Sequence, residues 1–479
     1  MVVVMGLLFA NRMHVLLLAG VLAASGALLP GCGLFGDIPE FGGTDSHLEP
    51  ISDAGADSQS APDTLTQREC TAPADCPALA NMSATCAEHR CVYTCEQGFV
   101  DVDGSIATNG CECASSAEVC DGEDNDCDGF VDNLFGQGQI AVGGAHTCAT
   151  DASGDVYCWG ANDHGQLGVG STQAHAQPTR LPAPAQLQVD QISAGESHTC
   201  ALNTATASLW CWGANDYGQL GDATPEMHLS PVEVIRPAAP LLAAAVAAGG
   251  RHTCAIDTAN QLYCWGDNRA GQLGGEVGVA FVDSPSLVFA SMTFDAVAAG
   301  AQHTCGLSQD GLIYCWGDNA RGQLGAGDFA VHSGALQPAG LPATGSFSAI
   351  AAGGSLTCAL HSEGSVFCWG GDTSGAKQMK DGQGMPIDFS GASLSVGSSA
   401  NFCALNAQDG TLRCGGINEG SPTNQHGSYG FSAIAAGSGH TCAINPHGRV
   451  YCWGDNSAGQ IGSGIPGGRV PAPLVATCQ

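Results

Sequence analysis

From about residue 138 to residue 475, the chain repeats one short pattern of apolar and polar positions seven times. Each unit opens with small apolar residues that end in Gly, as in 297–300. A His-Thr-Cys segment or a variant of it follows, then a turn with Gly and an apolar segment that in most units ends in Cys-Trp-Gly, as in 313–317. Apolar runs between glycine-rich turns predict β-strands. A period near 50 residues without helical stretches predicts a propeller or a β-solenoid.

The small residues of the opening segment favour the propeller. Seven inner strands that converge on an axis leave little room for side chains, whereas a solenoid has no such axis. We therefore predict an all-β fold, with a seven-bladed β-propeller over residues 138–479 preceded by a small disulfide-rich module. The seven opening segments are 140–143, 192–195, 246–249, 297–300, 350–353, 394–397 and 434–437.

These motifs resemble the repeat of the regulator of chromosome condensation family. After Cys-Trp-Gly, five units carry Gly-Gln-Leu-Gly or Gly-Gln-Ile-Gly, at 165–168, 218–221, 271–274, 322–325 and 459–462. Members of that family form seven-bladed propellers, so the resemblance implies that fold for the repeated part of the chain.

Each unit also has a second cysteine, ten or eleven residues after the first. Two strands joined by a turn bring such positions opposite each other, within disulfide reach. Each bond would stabilise the fold by about 3 kcal/mol in the chain-entropy model, and buried free thiols are the alternative. The predicted pairs are Cys148–Cys158, Cys200–Cys211, Cys254–Cys264, Cys305–Cys315, Cys358–Cys368, Cys403–Cys414 and Cys442–Cys452.

Histidines recur beside the first cysteine, at His146, His198, His252, His303 and His440. A ring of histidines suggests a metal site, but we place Leu356 at this position in the fifth unit and Phe402 in the sixth. We therefore expect structural histidines, packed and hydrogen-bonded inside the blade. The recurring tryptophans are expected in the core between blades: Trp159, Trp212, Trp265, Trp316, Trp369 and Trp453.

Net charge restricts the class of partner, and cysteine content indicates the redox compartment. The chain has 45 acidic against 13 basic side chains, a net charge of −32, with lysines only at Lys377 and Lys380. Such a surface repels phosphate backbones, so no nucleic acid is expected as a partner. Cations or a partner with a basic patch match it, and simple solubility is the alternative reading. The 25 cysteines indicate an oxidising compartment.

The N-terminus predicts export. The apolar run 15–29 has the length of a secretion signal and is too short for a comfortable membrane span. It leads into Leu-Leu-Pro-Gly-Cys32, which resembles a bacterial lipobox, although Pro30 departs from the usual small residue. The resemblance implies a signal peptide at 1–31, lipidation of Cys32 and membrane contact through that anchor only. Gly33 favours the outer membrane or cell surface, and an ordinary signal peptide is the alternative.

Two segments precede the propeller. Residues 32–69 are rich in Gly, Ser, Asp, Pro and Thr, which predicts a disordered tether. Residues 70–133 hold nine cysteines and too little apolar sequence for a core without staples. Disulfides are therefore expected there, with zinc as the alternative. Because nine is odd, a bond to Cys478 is a further hypothesis.

The module ends in an acidic stretch, 120–132, that predicts a metal site. Counting from Asp124, carboxylates stand at positions 1, 3, 5 and 9, Gly129 at position 6 and the Phe130 carbonyl at position 7. This matches a calcium loop and resembles a metal-binding motif of secreted bacterial proteins. Phe135 replaces the usual Glu at position 12, so we expect weak binding, about 0.1–1 mM. A solvated turn or another metal is the alternative. The predicted ligands are Asp124, Asp126, Asp128, Phe130 and Asp132.

No nucleophile elbow, phosphate loop or catalytic carboxylate pair stands out from the repeat. We predict a lipid-anchored scaffold at the cell envelope that binds an unidentified protein or glycan, and no enzyme. A calcium-dependent structural component is one alternative. The other is an enzyme with a site in the fifth and sixth units, where Gly-Gln-Leu-Gly is lost and Gly415 replaces Trp. Irregular loops on a regular scaffold often carry recognition.

Overall fold

The computed structural model describes residues 72–75, 82–88, 90–95, 99–100, 113–114, 133–136 and 138–476. The last range has gaps at 183–186, 237–238, 276–278, 381–388, 390–391, 398–400, 407–409, 417–422 and 425–429. All regular structure in these residues is β-strand, apart from one turn of 3₁₀ helix, Pro73–Asp75. Among them, no helix has the length and hydropathy that crossing a bilayer requires.

Seven four-stranded antiparallel sheets follow one another along the chain, and in each sheet the strands lie in chain order. The first strands are β5 (Ile140–Val142), β9 (Gln191–Ala194), β15 (Ala243–Ala248), β19 (Phe294–Ala299), β23 (Phe347–Gly353), β27 (Ala392–Val396) and β31 (Ala433–Ala436). The second strands are β6 (His146–Thr150), β10 (His198–Asn203), β16 (His252–Asp257), β20 (His303–Ser308), β24 (Leu356–His361), β28 (Asn401–Asn406) and β32 (His440–Ile444).

The outer half of each sheet is built in the same way. The third strands are β7 (Val156–Gly160), β11 (Ser208–Gly213), β17 (Leu262–Asp267), β21 (Ile313–Gly317), β25 (Val366–Gly370), β29 (Leu412–Gly416) and β33 (Val450–Gly454). The fourth strands are β8 (His175–Arg180), β12 (His228–Glu233), β18 (Phe281–Val288), β22 (His332–Leu336), β26 (Thr373–Gln378), β30 (Thr423–Asn424) and β34 (Val470–Val475).

The first strands form a closed ring. Each one contacts the first strand of the next sheet, and β31 of the seventh sheet contacts β5 of the first. The sheets are therefore the blades of a seven-bladed β-propeller, and the predicted fold class is confirmed. A shorter hairpin, β13 (Ile235–Arg236) with β14 (Ala239–Pro240), lies between the second and third blades.

The glycines that end the first strands allow the blades to approach this closely. At all seven, an added Cβ would come within 3.0 Å of a backbone carbonyl oxygen of the next blade. Real Cβ atoms do not reach such distances, so a side chain here would push the blades apart. The glycines are Gly143, Gly195, Gly249, Gly300, Gly353, Gly397 and Gly437.

The seven predicted disulfides are confirmed. In every blade the paired cysteines are direct cross-strand neighbours on the second and third strands, with Cα atoms 4.1 Å apart. In each blade whose third strand contains Cys-Trp-Gly, the register to the fourth strand shifts between that Cys and that Gly. In the first blade these residues are Cys158 and Gly160. Gly160 has a φ of 104°, a left-handed conformation that favours glycine.

Part of the preceding module is also described. It comprises β1 (Met82–Ala87) paired with β2 (Arg90–Cys95), and β3 (Phe99–Val100) paired with β4 (Cys113–Ala114). Cys86 and Cys91 are both disulfide-bonded.

The segment just before the propeller packs on the seam between its first and last blades. The Phe135 amide donates to the Gly448 carbonyl at 3.1 Å, and the Phe135 ring meets Tyr157 edge-on at 5.6 Å. Because β5–β8 and β31–β34 are each complete blades, no strand is exchanged across this seam. Phe135 adds apolar contact at the place where the ring closes.

Candidate functional site

The recurring histidines join neighbouring blades. In five blades, the histidine Nε2 lies 2.8–2.9 Å from the threonine Oγ1 of the next blade. The pairs are His146–Thr199, His198–Thr253, His252–Thr304, His303–Thr357 and His440–Thr147. Our expectation of a hydrogen bond inside the blade was wrong, because the side chain reaches across the interface to the adjacent sheet.

Each threonine also forms a second hydrogen bond to the blade that carries its histidine. Its hydroxyl donates to a glutamine backbone carbonyl of that blade at 2.8–3.1 Å. Since the hydroxyl hydrogen is used there, the histidine Nε2–H must be the donor to the threonine oxygen. This fixes the histidine tautomer, with the proton on Nε2. The accepting carbonyls belong to Gln166, Gln219, Gln272, Gln323 and Gln460.

Tryptophan completes what we term the clasp, the set of histidine, threonine, glutamine carbonyl and tryptophan at one blade interface. At four interfaces the indole N–H donates to the same glutamine carbonyl at 2.9–3.0 Å. The predicted position of these tryptophans between blades is thereby confirmed. The four are Trp159, Trp212, Trp265 and Trp316.

The clasp histidines are neutral parts of the scaffold. Burial lowers the pKa of His146 and His252 to about 4 and that of His198, His303 and His440 to about 3. In the described part of the chain, their Nδ1 atoms have no hydrogen-bond partner. No group of three or more His, Cys, Asp or Glu side chains suited to a metal occurs among the described residues.

The interface between the fifth and sixth blades has no clasp. Leu356 occupies the histidine position, and both Leu356 and Phe402 are fully buried in one apolar cluster with Phe389. Phe402 pairs with Gly415 across the hairpin, just as Thr147 pairs with Trp159. Phe402 therefore holds the threonine position.

Our placement of Phe402 at the histidine position was thus wrong. Asn401 stands there, opposite Gly416 as His146 is opposite Gly160. The substitutions form a set: a large ring replaces threonine where glycine replaces the large tryptophan.

Several predicted site residues lie outside the described residues. These are the lipidation site Cys32, Cys478 and the calcium ligands Asp124, Asp126, Asp128, Phe130 and Asp132. Much of the irregular loop sequence of the fifth and sixth units is also outside them. Of the two lysines there, Lys377 lies on β26 opposite Cys368, and Lys380 is exposed.

The propeller axis opens into a cavity on one face. That face, which we term the loop face, carries the loops joining first to second and third to fourth strands. The cavity has a volume of about 320 Å³ and is lined mostly by Gly and Ala, and Glu196 is the one charged residue among the described residues of the lining. Small residues therefore create space at the axis as well as allowing close blade contact.

A second pocket of about 370 Å³ adjoins it between the second and third blades. Glu196 and Gly250 line both spaces, so the two are neighbours on the loop face, and Asp216, Tyr217 and Arg251 line the second. We call this the loop-face pocket. It combines an aromatic ring, carboxylates and a guanidinium, which suits recognition of a polar or charged side chain.

Two arginines surround the Tyr217 ring. Arg269 lies 4.6 Å and Arg251 5.3 Å from the ring centroid, and Arg251 donates to the tyrosine hydroxyl at 3.2 Å. Arg269 also forms two hydrogen bonds, 2.8 and 2.9 Å, with the buried Asp267 carboxylate. Burial would raise the pKa of Asp267, but the hydrogen bonds from Arg269 hold it below its usual value.

This cluster was not predicted from the sequence. Its residues stand at positions that vary from unit to unit: Tyr217 corresponds to His164 in the first blade, and Arg251 to Ser197 in the second. Variation inside an otherwise regular repeat is the signal that could have found them, since scaffold positions repeat the same residue.

The fold and this face define a disulfide-stapled, seven-bladed repeat propeller with its cavities on one loop face. The sequence model of the RCC1-like domain matches residues 121–464, more than half of the chain. The chain belongs to this family.

Similar proteins fit that assignment. The Ultraviolet-B receptor UVR8 of Arabidopsis thaliana is 29% identical over 329 residues, 68% of this chain and 66% of the receptor. The probable E3 ubiquitin-protein ligase HERC6 of Homo sapiens is 33% identical over 192 residues, 39% of this chain but only 19% of the ligase. The crystal structure of human WBSCR16 shares the fold, with a TM-score of 0.59 at 20% identity, covering 67% of this chain and 94% of that one.

Proposed function

We propose that this propeller is a scaffold that binds a protein partner at its loop face. The observation that carries the proposal is the pair of adjoining spaces on the loop face, the axial cavity and the loop-face pocket, with Glu196 in the lining of both. The recurring polar side chains of the blades are used inside the scaffold, whereas Tyr217, Arg251 and Glu196 depart from the repeat and line open space. Binding rather than catalysis fits this division.

Cross-linking on intact cells tests the proposal. We expect the wild-type chain to capture a defined set of proteins, and the double variant Tyr217→Ala/Arg251→Ala to lose them. Arg180→Ala is the matched control, because Arg180 is an exposed arginine paired with Asp155 at the edge of the first blade. Equal capture by all three chains would refute the loop-face site. A wild-type chain that captures no protein but binds an immobilised glycan would replace the protein partner with a glycan.

We further propose export to the cell envelope with a lipid anchor at Cys32. The lipobox-like segment supports it, and so do the seven blade disulfides, because cytoplasmic thiol buffers keep such cysteines reduced. Labelled palmitate is expected to enter the wild-type chain and not Cys32→Ala. Equal labelling of both chains would contradict the anchor.

We also propose a calcium site at Asp124, Asp126, Asp128, Phe130 and Asp132. The spacing of oxygen ligands around Gly129 supports calcium over copper, which prefers His and Met ligands. Calorimetry with millimolar calcium is expected to give saturable heat that is lost in Asp126→Asn/Asp128→Asn.

Chelation then separates two roles for that metal. If partner capture on cells is lost with a chelator, the chain acts as a calcium-dependent component of the envelope. If capture is retained, the propeller binds its partner independently of the metal. An enzymatic site in the fifth and sixth units is the remaining alternative. The match to HERC6 leaves most of that ligase uncovered, so it gives no ground for ligase activity in this chain.

A further inference from the structure

Five large apolar side chains are exposed along one edge of the loop face. Met227, Val279, Phe281, Phe329 and Val331 are each 44–54% exposed, and we term them the apolar rim. All five lie at or just before the start of a fourth strand, in three consecutive blades. Scattered exposed apolar residues are ordinary, whereas exposed apolar residues grouped on neighbouring blades indicate an interaction site.

Strand register shows that three of the five hold one structural position. Gly213, Gly266 and Gly317 end the third strands and pair with His228, Val282 and His332. The residues just before those partners are Met227, Phe281 and Val331. The same register in other blades gives Ala174 in the first, Asp372 in the fifth and Arg469 in the seventh. Among the six blades in which this register is described, the apolar choice is thus confined to the second, third and fourth.

The rim is held in place by backbone bonds between blades. The Ala223 amide of the second blade donates to the Asp283 carbonyl of the third at 3.0 Å, and Gly275 of the third donates to Ser333 of the fourth at 3.2 Å. Each bond ties the loop of one blade to the start of the fourth strand of the next. The backbone that carries the exposed side chains is therefore held in place, which lowers the cost of ordering these loops on binding.

The rim and the loop-face pocket belong to the same loops. Tyr217 and Met227 lie in the single connection between β11 and β12, and Phe281 begins the fourth strand of the blade that supplies Arg251. An extended protein segment on this face can contact both. Apolar contacts lie at the periphery, and polar groups lie toward the axis.

The charges around this surface favour a basic partner. Three arginines are present, but each already faces a carboxylate: Arg251 faces Glu196 at 3.6 Å, while Arg269 and Arg321 pair with Asp267 and Asp372 at 2.8 Å. Further acids lie in the connections between third and fourth strands, or on a fourth strand, of the second to fourth blades, namely Asp216, Glu226, Asp283, Asp318 and Asp328. The net charge of the chain is −32. The surface is therefore acidic overall.

We propose that the apolar rim and the loop-face pocket form one docking surface for a protein segment whose apolar side chains alternate with Lys or Arg. The apolar side chains cover Phe281 and Val331, and a basic side chain enters the pocket beside Glu196 and Asp216. This inference rests on the proposed function and adds the partner's chemistry. A second copy of the chain would bring two acidic faces together, and an anionic lipid surface would be repelled.

Synthetic peptides test the chemistry. The probe is a labelled 12-residue peptide in which Leu and Phe alternate with Lys; one matched peptide has Glu for Lys, and another has Ser for Leu and Phe. Fluorescence anisotropy with the full chain is expected to show at least tenfold tighter binding of the first peptide than of either control. Raising the salt concentration should weaken that binding several-fold.

Variants test the location. We expect Phe281→Ser/Val331→Ser to weaken binding of the basic apolar peptide at least tenfold. The control Leu242→Ser/Ile465→Ser, which removes two apolar side chains that are 50% and 75% exposed outside the rim, should leave it within twofold. Neither change alters net charge. Circular dichroism confirms that both chains fold, and Phe281→Ala/Val331→Ala replaces the first pair if it does not.

Three results would overturn this docking surface: equal binding of the three peptides, equal loss in both variants, or a dimer in ultracentrifugation that Phe281→Ser/Val331→Ser dissociates. Cross-linking on cells tests the proposed function independently of the rim. If capture on cells is lost in Tyr217→Ala/Arg251→Ala but unchanged in the rim variant, the scaffold role stands and the rim is not its docking surface.

Discussion

Six of the seven blade interfaces are of two kinds, and the interface between the sixth and seventh blades, where Asn401 stands at the histidine position, belongs to neither. Five interfaces use the buried polar clasp, as between His146 and Thr199. The interface between the fifth and sixth blades instead packs Leu356 against Phe402 in an apolar cluster. A clasp fixes the angle between blades through directional bonds, and every buried polar atom in it costs free energy if its partner is lost. The apolar interface has no such requirement, but it depends on shape. The same fold thus tolerates either solution, provided that the residues change together.

Lowering the pH should distinguish the two kinds of interface most strongly, because it destabilises only those that contain a histidine. The folded pKa of each clasp histidine, about 3 or 4, lies below the ordinary value of 6.5. The unfolded chain therefore binds more protons below pH 6.5, and stability is lost as the pH falls from 6.5 toward the folded pKa of each histidine. The loss approaches about 3 kcal/mol for a histidine with a folded pKa of about 4 and about 5 kcal/mol for one with a folded pKa of about 3.

Urea denaturation with disulfides intact, at several pH values, measures this effect. His303→Leu introduces the leucine that the fifth blade has at this position. The variant should reduce the dependence of the free energy of unfolding on pH by the contribution of one histidine. An unchanged pH slope in that variant would show that the clasp histidines do not carry the acid sensitivity.

Shape complementarity at the apolar interface should come next in size. Phe402→Ala leaves a cavity beside Leu356, and we expect a loss of about 3–5 kcal/mol. The free energy of unfolding at pH 7 measures it, and the loss should be the same at pH 5 because no histidine is involved. A marked difference between the two pH values would contradict the distinction between the interfaces.

Transplanting the apolar solution into a clasp tests whether the residues act as a set. Thr304→Phe alone crowds Trp316 and leaves the His252 Nε2–H without its acceptor, which should cost about 3–4 kcal/mol. The triple variant His252→Leu/Thr304→Phe/Trp316→Gly should be more stable than the single losses added together. If the effects simply add, the substitutions at the interface of the fifth and sixth blades are independent of each other.

A single hydroxyl gives the smallest effect. Thr199→Val removes the acceptor of the His146 Nε2–H at nearly constant volume, and we expect a loss of about 1–3 kcal/mol. The matched control is Thr441→Val in the seventh blade. The preceding blade, the sixth, has Asn401 at the histidine position, so no histidine faces this threonine. A cost below about 1 kcal/mol is expected there. Equal costs at the two sites would show that the hydroxyl acts without the histidine.

The sequence predicted the scaffold well and the site poorly. Cys305 and Cys315 could be paired from spacing alone, because a hairpin fixes which residues face each other. Phe402 was assigned to the histidine position although it holds the threonine position. The two assignments differ by one residue in the alignment, and only the cross-strand partner, Gly415, distinguishes them. Tyr217 and Arg251 were not predicted, since they are 34 residues apart and meet only when two blades pack.

The sequence by itself therefore determined the features set by local spacing: seven units, their strands, seven disulfides and the small residues at the axis. Only the tertiary structure decided what one blade does to the next. It directed the histidines across the interfaces, fixed their tautomer through Thr199 and its equivalents, and placed the apolar rim beside the loop-face pocket. The physical reason is that period and turn chemistry act within a hairpin, whereas hydrogen bonds and exposed surfaces between blades exist only once the ring has closed.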